Sequence, residues 1–248
     1  MVYRSHTRQR TFTYLAPPLF SLIFYFALIA ASADSPGRFE RSYSPNRPAH
    51  ITVSNVNGKI HVSGWDRKYI LARATTAPSV KVGDEVVGDD IKIWTRPNIR
   101  LGRADFEISV PPETSVTVKN YVGDIEIRGV TGHVTVTSID SDVHLFKITS
   151  PAVDVRVTSG DVFFDGELSE GGSYSLQTMK GDLDVTLPAA TPFNLNARAL
   201  SENINLGAFL SNLTGSSRGP KGVSGSYLRG GPRLTLTTYA GRILLHKR

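Results

Sequence analysis

Apolar and polar residues alternate in short runs over most of the chain, and the runs recur. A clear example is residues 123–127, Gly-Asp-Ile-Glu-Ile, in which the last three residues alternate apolar and polar. A period of two is typical of a β-strand with one buried and one solvated face. Related runs are found near residues 141, 160, 181, 202 and 241, with an outlying copy near residue 58. Helical periodicity is nearly absent after residue 34, so the sequence predicts an all-β body.

The copies are spaced at a nearly fixed interval. With the third residue of each copy as a marker, the steps are 18, 19, 21, 21 and 39 residues, and 39 is close to two steps. Shorter alternating runs lie between the markers, as at residues 132–136 and 152–157. A fixed period that holds two strands indicates stacked coils, because one coil cannot bury its apolar face alone. We therefore predict a single-stranded β-solenoid, or β-helix, with about 18–21 residues per coil.

An antiparallel β-sandwich is the alternative fold, since two strands per repeat can also form hairpins. Very short strands and a register shared between the copies favour the solenoid. Glycine precedes aspartate at markers 123, 160 and 181. This glycine tolerates a positive φ, and the aspartate can bond nearby backbone in the corner. Ser141 and Glu202 replace the glycine in two copies.

Two segments interrupt the repeat. Residues 77–103 are expected to form an irregular hairpin or lateral insertion, and residues 211–232, rich in glycine, a flexible basic loop. The repeat domain is predicted to span residues 49–248, after a linker at residues 34–48. The last alternating runs, in residues 234–245, are expected to close the C-terminal end.

The segment at residues 1–33 predicts a signal peptide. It holds three arginines and no acid before Leu19–Ala31. That unbroken apolar run of about 13 residues is too short for a membrane span, which needs roughly 20. Ala31 and Ala33 supply the A-x-A pattern for cleavage before Asp34. An uncleaved N-terminal anchor is the alternative. Either way we expect an extracytoplasmic protein (periplasmic, on the cell surface or secreted), with no membrane span once the signal is removed.

Composition and charge narrow the possible chemistry. The 248 residues include no cysteine, which excludes disulfides, Cys-ligated metal sites and thiol nucleophiles. The net charge of +6 falls to +3 without the three arginines of the signal, because 25 basic residues then face 22 acidic ones. That balance is ordinary for a surface, so we do not expect nucleic acid as a partner.

The order of the repeats resembles the bacterial putative adhesin family, a domain of unknown function found in exported β-strand repeat proteins. The resemblance covers roughly residues 38–246. It rests on the opening at residues 53–66, on residues 106–111 before the Gly-Asp repeats, and on the ending at residues 234–243. It implies an exported β-solenoid with surface binding and without an established activity, although a fold does not fix a function.

We interpret the chain as an exported, non-enzymatic binding or scaffolding protein of the cell envelope that needs no cofactor. The candidate ligand-binding residues are two aromatic and three basic side chains: Trp65, Trp94, Arg218, Lys221 and Arg229. The aromatic rings can stack on a sugar or a protein partner, and the basic loop can hold an anionic envelope polymer. A charged end cap that prevents edge pairing is the alternative, and favoured, interpretation of the loop. An envelope glycan or a surface protein is the expected partner, and a homo-oligomer remains open.

Two other functions stay open. A carbohydrate-active hydrolase or lyase would need carboxylates clustered on one face. The candidates form two groups: Asp140, Asp142 and Asp154, and Asp161, Asp165 and Glu167. A self-assembling envelope structural protein would pair through an uncapped end of the stack. No metal site is predicted, since the histidines lack metal-ligand spacing.

Overall fold

The computed structural model describes residues 37–96, 102–201 and 203–248, within a compact unit that spans Asp34–Arg248. This part of the chain contains 21 strands and one short 3₁₀ helix. The predicted signal peptide, including Ala31 and Ala33, lies outside the described residues.

The strands follow one another closely along the chain. The first seven are β1 (Gly37–Tyr43), β2 (His50–Asn57), β3 (Ile60–Gly64), β4 (Ile70–Thr76), β5 (Lys81–Val87), β6 (Asp90–Arg96) and β7 (Ala104–Val110). The repeat region contains β8 (Ser115–Val122), β9 (Ile125–Arg128), β10 (Val134–Asp140), β11 (Val143–Ile148), β12 (Ala152–Ser159), β13 (Val162–Gly166), β14 (Ser173–Lys180) and β15 (Leu183–Leu187). The last strands are β16 (Phe193–Ala199), β17 (Ile204–Asn205), β18 (Leu213–Gly219), β19 (Gly222–Tyr227), β20 (Arg233–Ala240) and β21 (Ile243–Lys247), and the 3₁₀ helix (Gly207–Asn212) precedes β18.

These strands form two sheets. Sheet 1 has the order β1-β4-β7-β3-β9-β11-β13-β15-β21-β17, and sheet 2 the order β18-β19-β16-β20-β14-β12-β10-β8-β2-β6-β5. A strand of sheet 2 leads through a sharp corner into a strand of sheet 1, and the two together make one coil. Eight such coils stack in the described residues, each parallel to its neighbours.

The core lies between the two sheets, because the apolar position of each strand recurs in register from coil to coil. Val118, Val136, Val155 and Leu176 align along sheet 2 and are fully buried. Ile127, Leu145, Phe164 and Val185 align along sheet 1 and are also buried. Each such side chain contributes roughly 1.5–3 kcal/mol of transfer free energy, so the stack is stabilised by its apolar column.

Chain order and stacking order differ at both ends. The first coil along the chain, β2/β3, lies second in the stack, between β6/β7 and β8/β9. The last coil, β20/β21, lies second from the other end, between β14/β15 and β16/β17. The expectation that this last coil closes the C-terminal end is therefore wrong. That end is instead covered by β17 and the 3₁₀ helix, whose buried Phe209 packs on Phe193 with ring centroids 5.4 Å apart.

Three segments expected to be irregular contain regular strands. The linker predicted at residues 34–48 contains β1, which pairs antiparallel with β4 and buries Tyr43. Its charged residues conceal the strand pattern, as is common at a sheet edge. Between residues 77 and 103, β5 and β6 form an antiparallel hairpin on sheet 2, while residues 97–101 lie outside the description.

The expected flexible loop at residues 211–232 also departs from the prediction. It contains the antiparallel hairpin of β18 and β19. Val223 and Tyr227 of β19 are buried with Gly225 between them, and the glycine and serine residues mask this alternation in the sequence.

The all-β class is confirmed. The eight coils are parallel, whereas β1, β4, β5, β18 and β19 add antiparallel pairs at the ends, so both sheets are mixed. The central strands do not pair as the hairpins that the antiparallel sandwich would require.

Candidate functional site

The corners between the sheets depend on the Gly-Asp pairs. Gly160 has φ +131°, and a Cβ atom there would lie 2.1 Å from the carbonyl oxygen of Ser141 in the preceding coil. Only glycine satisfies both the backbone conformation and the close approach. The sequence-based prediction of a positive-φ glycine before aspartate is confirmed at this corner.

The corner aspartates bind the backbone of the next coil. Asp142 Oδ1 accepts the N–H of Asp161 at 2.8 Å. Asp161 Oδ1 accepts the N–H of Asp182 at 2.7 Å, and Asp182 Oδ1 accepts the N–H of Arg242 at 2.8 Å. The carboxylates therefore join successive coils. Among the described residues, no group of three or more acidic or histidine side chains lies close enough to hold a metal ion.

A cation stands at each end of this acidic row. Lys59 Nζ lies 2.9 Å from Asp124 Oδ2, and Arg242 Nε donates to Asp182 Oδ2 at 2.9 Å. The hydrogen bond from Arg242 lowers the pKa of Asp182, against a smaller opposing effect of burial. Both cations belong to the coils that are inserted out of chain order, so the inserted coils neutralise the ends of the row.

The carboxylates considered for catalysis differ in their spacing. Asp154 pairs in register with Thr135, and Asp140 lies five residues further along that strand, which places it about 17 Å away. Asp161 immediately precedes β13, and Asp165 lies four residues further along that strand, or about 13 Å away. Asp165 and Glu167 both face Arg248, at 3.5 and 3.6 Å. Asp165 and Glu167 are thus bridged by one guanidinium, which gives both carboxylates a structural contact.

The two candidate tryptophans make local packing contacts. Trp65 Nε1 donates to the Tyr69 carbonyl at 2.9 Å, and the Arg67 guanidinium lies 4.9 Å from the indole centroid. Trp94, on β6, covers Gly83 of the edge strand β5, where a Cβ would lie 3.0 Å from the ring. Both rings are half-buried. Their contacts give each ring a structural role at the N-terminal end of the stack.

The three basic candidates lie at the opposite end. Arg218 is on β18, Lys221 is in the following turn and Arg229 follows β19, and all three side chains are exposed. From β6 to β18 there are nine strand spacings across sheet 2, or about 43 Å. The structure therefore does not bring the basic residues and the tryptophans into one site.

Exposed apolar side chains instead line the corner that leads out of sheet 2. We call this row the corner stripe, and in stack order it consists of Val56, Tyr121, Ile139, Thr158, Met179, Tyr239 and Leu200. Five of these side chains are 42–58% exposed, and Tyr121 is the most exposed of them: Tyr121, Ile139, Met179, Tyr239 and Leu200. Six strand spacings make the stripe about 29 Å long.

Hydrogen bonds beneath the stripe hold the corner in shape. Asn120 Nδ2 donates to the carbonyls of Gly58 and Gly123 at 3.2 and 2.9 Å. Thr178 Oγ1 donates to the Gly160 carbonyl at 3.0 Å, and Thr238 Oγ1 donates to the Gly181 carbonyl at 2.9 Å. Because these buried polar groups bind the turning backbone, the next residue of each strand is directed outward and the row is rigid.

Cations flank the stripe without partners of their own. Lys119 lies two residues before Tyr121 on the same face, Lys180 follows Met179, and Arg198 lies two residues before Leu200. In the described part of the chain, none of these three side chains makes an ion pair. The stripe is therefore bordered by unpaired cations on its sheet 2 side, where Asp140 is an acidic neighbour, and by the row of corner aspartates on its other side.

A hollow of about 310 Å³ opens in the middle of the stripe. It lies beside Thr158, which is smaller than Ile139 and Met179 on the neighbouring coils. Arg156, Gln177 and Tyr239 also line it. The hollow can take one apolar side chain with a polar neighbour, as binding pockets commonly do.

Comparison with known proteins agrees with this architecture. The family model described as Toastrack DUF4097 matches residues 44–241. The chain belongs to this family. The match confirms the resemblance, noted in the sequence, to an adhesin-like family that is a domain of unknown function.

One similar structure is a putative cell adhesion protein from Clostridium sporogenes, with a TM-score of 0.52 and 14% identity over 86% of this chain and 100% of that one. A second is a putative adhesin from Bacteroides fragilis, with a TM-score of 0.33 and 10% identity over 87% of this chain and 99% of that one. Because so few residues are identical, the first likeness concerns the fold alone. No curated protein sequence matches the chain. None of the described residues belongs to a helix with the length and apolar character needed to cross a membrane.

The corner stripe of the Toastrack domain was missed at the sequence level, although a signal for it is present. Its residues are the first of each repeat copy, two positions before the marker glycine, and most are apolar. Strand alternation alone does not reveal that the chain turns there, so an apolar residue at this position reads as core. The buried polar residue that precedes it, such as Asn120 or Thr178, is the distinguishing sign.

Proposed function

We propose that this Toastrack protein is an exported, non-enzymatic binding and scaffolding protein of the cell envelope. Its corner stripe would hold an extended, acidic segment of a partner protein. The observation that carries the proposal is the rigid row of exposed apolar side chains with unpaired cations along its border. Such a surface loses water-exposed apolar area when it is covered, which favours association.

The shape and charge of the stripe favour an extended protein segment. A straight row about 29 Å long matches about nine residues of extended chain. Lys119, Lys180 and Arg198 complement acidic side chains on such a segment and disfavour a basic one. A membrane surface would contact a broad plane, whereas the exposed apolar groups here follow a narrow corner.

Export is supported by the sequence pattern of residues 1–33. Cleavage after Ala33 would give a mature protein that begins at Asp34. Intact-mass measurement of the protein recovered from the extracytoplasmic fraction tests this. Ala33→Trp should retain the N-terminal segment, because the cleavage site requires a small residue. A wild-type protein found only in the cytoplasm would contradict export.

Binding is tested with a fluorescent peptide of alternating leucine and glutamate, about nine residues long. Fluorescence anisotropy would compare wild type, the double variant Tyr121→Ser with Met179→Ser, and Lys119→Glu. We expect each variant to bind at least about tenfold more weakly, and wild-type affinity to fall with salt. Val87→Ser is the matched control, since Val87 is equally apolar and exposed but lies on β5.

A peptide of alternating leucine and lysine should bind wild type poorly. Equal binding of both peptides, or unchanged affinity in the stripe variants, would overturn the assigned partner. Two further measurements identify other occupants. Loss of binding to anionic phospholipid vesicles in the variants, without peptide binding, would indicate a lipid surface. A dimer in light scattering that dissociates in the same variants would indicate a second copy of the chain.

A further inference from the structure

A second group of aromatic side chains lies on the outer face of sheet 1, away from the corner stripe. The rings of His144 and Phe163 stack with centroids 4.7 Å apart and planes within 4°. Phe146 stacks on His144 with centroids 5.8 Å apart. We call these three half-buried residues the ring platform. They are on β11 and β13, in the middle of the stack, and they point away from the core.

The position of the ring platform is unusual for this face. The side chains in register with it on adjacent coils are charged: Glu126 and Arg128 on one side, Asp165 and Asp184 on the other. Core packing therefore does not explain why the two middle coils carry aromatic rings outward. Rings exposed on a flat sheet lose water contact only when something else covers them.

The backbone is irregular at the same place. Lys147 adopts φ +52°, in the left-handed region that residues other than glycine and asparagine seldom adopt. The register between β11 and β13 shifts between Phe146 and Ile148, which is a β-bulge. The bulge leaves both Phe146 and Lys147 outside the core, while Ile148 returns to it. Bulges of this kind often redirect a side chain at a binding site.

Hydrogen-bonding groups surround the rings. Asp165 is in register with Phe146, and its buried Oδ1 makes no hydrogen bond, since the nearest cation, Arg248 Nε, lies 3.5 Å away. Glu126 Oε1 is bound by Arg128 Nη2 at 2.7 Å. Asp184 lies 3.3 Å from His246. Arg128, Lys147 and Arg248 balance Glu126, Asp165 and Asp184, so the rim is close to neutral.

We propose that the ring platform binds a neutral pyranose oligosaccharide. The apolar C–H face of a sugar ring would lie on the face of Phe163 that is turned away from His144, as aromatic rings accept flat apolar surfaces. Asp165 and Asp184 would accept hydrogen bonds from sugar hydroxyls, and Arg128 would donate one. An anionic polymer is disfavoured, because the rim has no excess of positive charge. The site is independent of the stripe, so the protein has two separate binding surfaces.

The experiment is a titration of the isotope-labelled mature chain, residues 34–248, with chitotriose and with cellotriose, followed by NMR. Wild type should show shifts confined to β11, β13 and their neighbours for at least one of the two sugars. Phe163→Thr should weaken that binding roughly tenfold or more, because it removes the stacked ring. Asp165→Asn should weaken it about fivefold, because it removes an acceptor without changing the shape. Thermal unfolding of each variant confirms that the fold is retained.

Two control variants distinguish this site from sugar binding elsewhere on the protein. Ser109→Ala, which changes the outer face of the same sheet on β7, two strands beyond β9, should leave sugar affinity unchanged. The double variant Tyr121→Ser with Met179→Ser should also bind sugar normally. Loss of peptide binding at the corner stripe can then be distinguished from loss of sugar binding at the ring platform. Shifts centred outside β9, β11, β13 and β15, no shifts with either sugar, or equal affinity in Phe163→Thr would overturn the proposal. Release of reducing ends would overturn the non-enzymatic function but leave the site assignment standing.

Discussion

The carboxylate of Asp161 accepts the backbone N–H of Asp182 at 2.7 Å, although the two residues are 21 positions apart in the chain. The contact joins equivalent corners of adjacent coils. Equivalent bonds link Asp142 with Asp161 and Asp182 with Arg242. A turn aspartate normally bonds its own loop, whereas here it bonds the neighbouring coil. The repeat of Gly-Asp thus sets the vertical alignment of the stack as well as the corner.

The Asp182–Arg242 pair should make stability depend on acid. The hydrogen bond from Arg242 lowers the pKa of Asp182 in the folded state. A lowered carboxyl pKa contributes stability that is present above the unfolded value and is lost as the pH falls through the folded value. Asp182→Asn should therefore be less stable than wild type by about 1 kcal/mol near neutral pH. Urea unfolding should show this difference in stability narrowing as the pH falls below the ordinary carboxyl pKa.

Asp140→Asn is the control for that series, since Asp140 is exposed and makes no ion pair within the described residues. It should leave the free energy of unfolding nearly unchanged at neutral and at acidic pH. A gap between Asp182→Asn and wild type that persists undiminished in acid would contradict the assigned role of the carboxylate.

Gly160→Ala should destabilise the protein by about 3 kcal/mol or more. The residue has φ +131°, and a methyl group would meet the Ser141 carbonyl oxygen at 2.1 Å. Gly171→Asn is the matched control, because Gly171 has φ +68° and open space where a Cβ would lie. Asparagine tolerates that conformation, so the control should cost less than about 1 kcal/mol. Similar losses of stability for both variants in thermal unfolding would show that the positive φ, rather than the contact with the preceding coil, causes the destabilisation.

The outward and inward positions of the coil should differ sharply in their effect on stability. Tyr121→Ser should change the free energy of unfolding by no more than about 0.5 kcal/mol, since the side chain is 58% exposed. Leu176→Ala, on the inner face of β14, should cost about 3 kcal/mol, because it leaves a cavity in the fully buried column. Denaturant unfolding of both variants measures the difference. A large loss for Tyr121→Ser would reassign the stripe to a structural role.

The threonines under the stripe should contribute through their hydroxyls. Thr178→Val keeps the shape but removes the hydrogen bond to the Gly160 carbonyl, and chemical denaturation should show a cost of about 1–2 kcal/mol. Thr235→Val, on the outer face of the neighbouring β20, should be close to neutral. Equal effects of the two substitutions would mean that the buried hydroxyl does not hold the corner.

Much of this fold can be predicted from the sequence because the repeats are local. Alternation in residues 123–127, the glycine at position 160 and the aspartate beside it each carry their own physical reason. Short-range rules therefore identify the strands, the corners and the number of residues per coil. The stacking of coils follows from the exposed apolar face that each one would otherwise leave in water.

The features of the fold that the sequence did not reveal depend on long-range contacts, which no local pattern encodes. The exchange of order at both ends brings β2 beside β6 and β20 beside β16, pairings that parallel strands of similar composition allow in several arrangements. The β19 strand is concealed by Gly225 between Val223 and Tyr227. The ring platform could not be predicted because Phe146 and Phe163 read as ordinary strand residues until their outward direction is known.

The inserted coil at the C-terminal end also constrains how the protein is made. β20 and β21 emerge after β16 to β19 during synthesis, yet they occupy the gap between β14/β15 and β16/β17. Strands β16 to β19 are therefore synthesised before the surface on which they must pair exists. Folding cannot advance strictly from the N-terminus. The coil of residues 233–247 must insert between β14/β15 and β16/β17 before β16 to β19 can pair with the rest of the stack. A chain that is shortened by this one coil would keep most of its residues but lack the surface that its cap needs, and would be open to proteases.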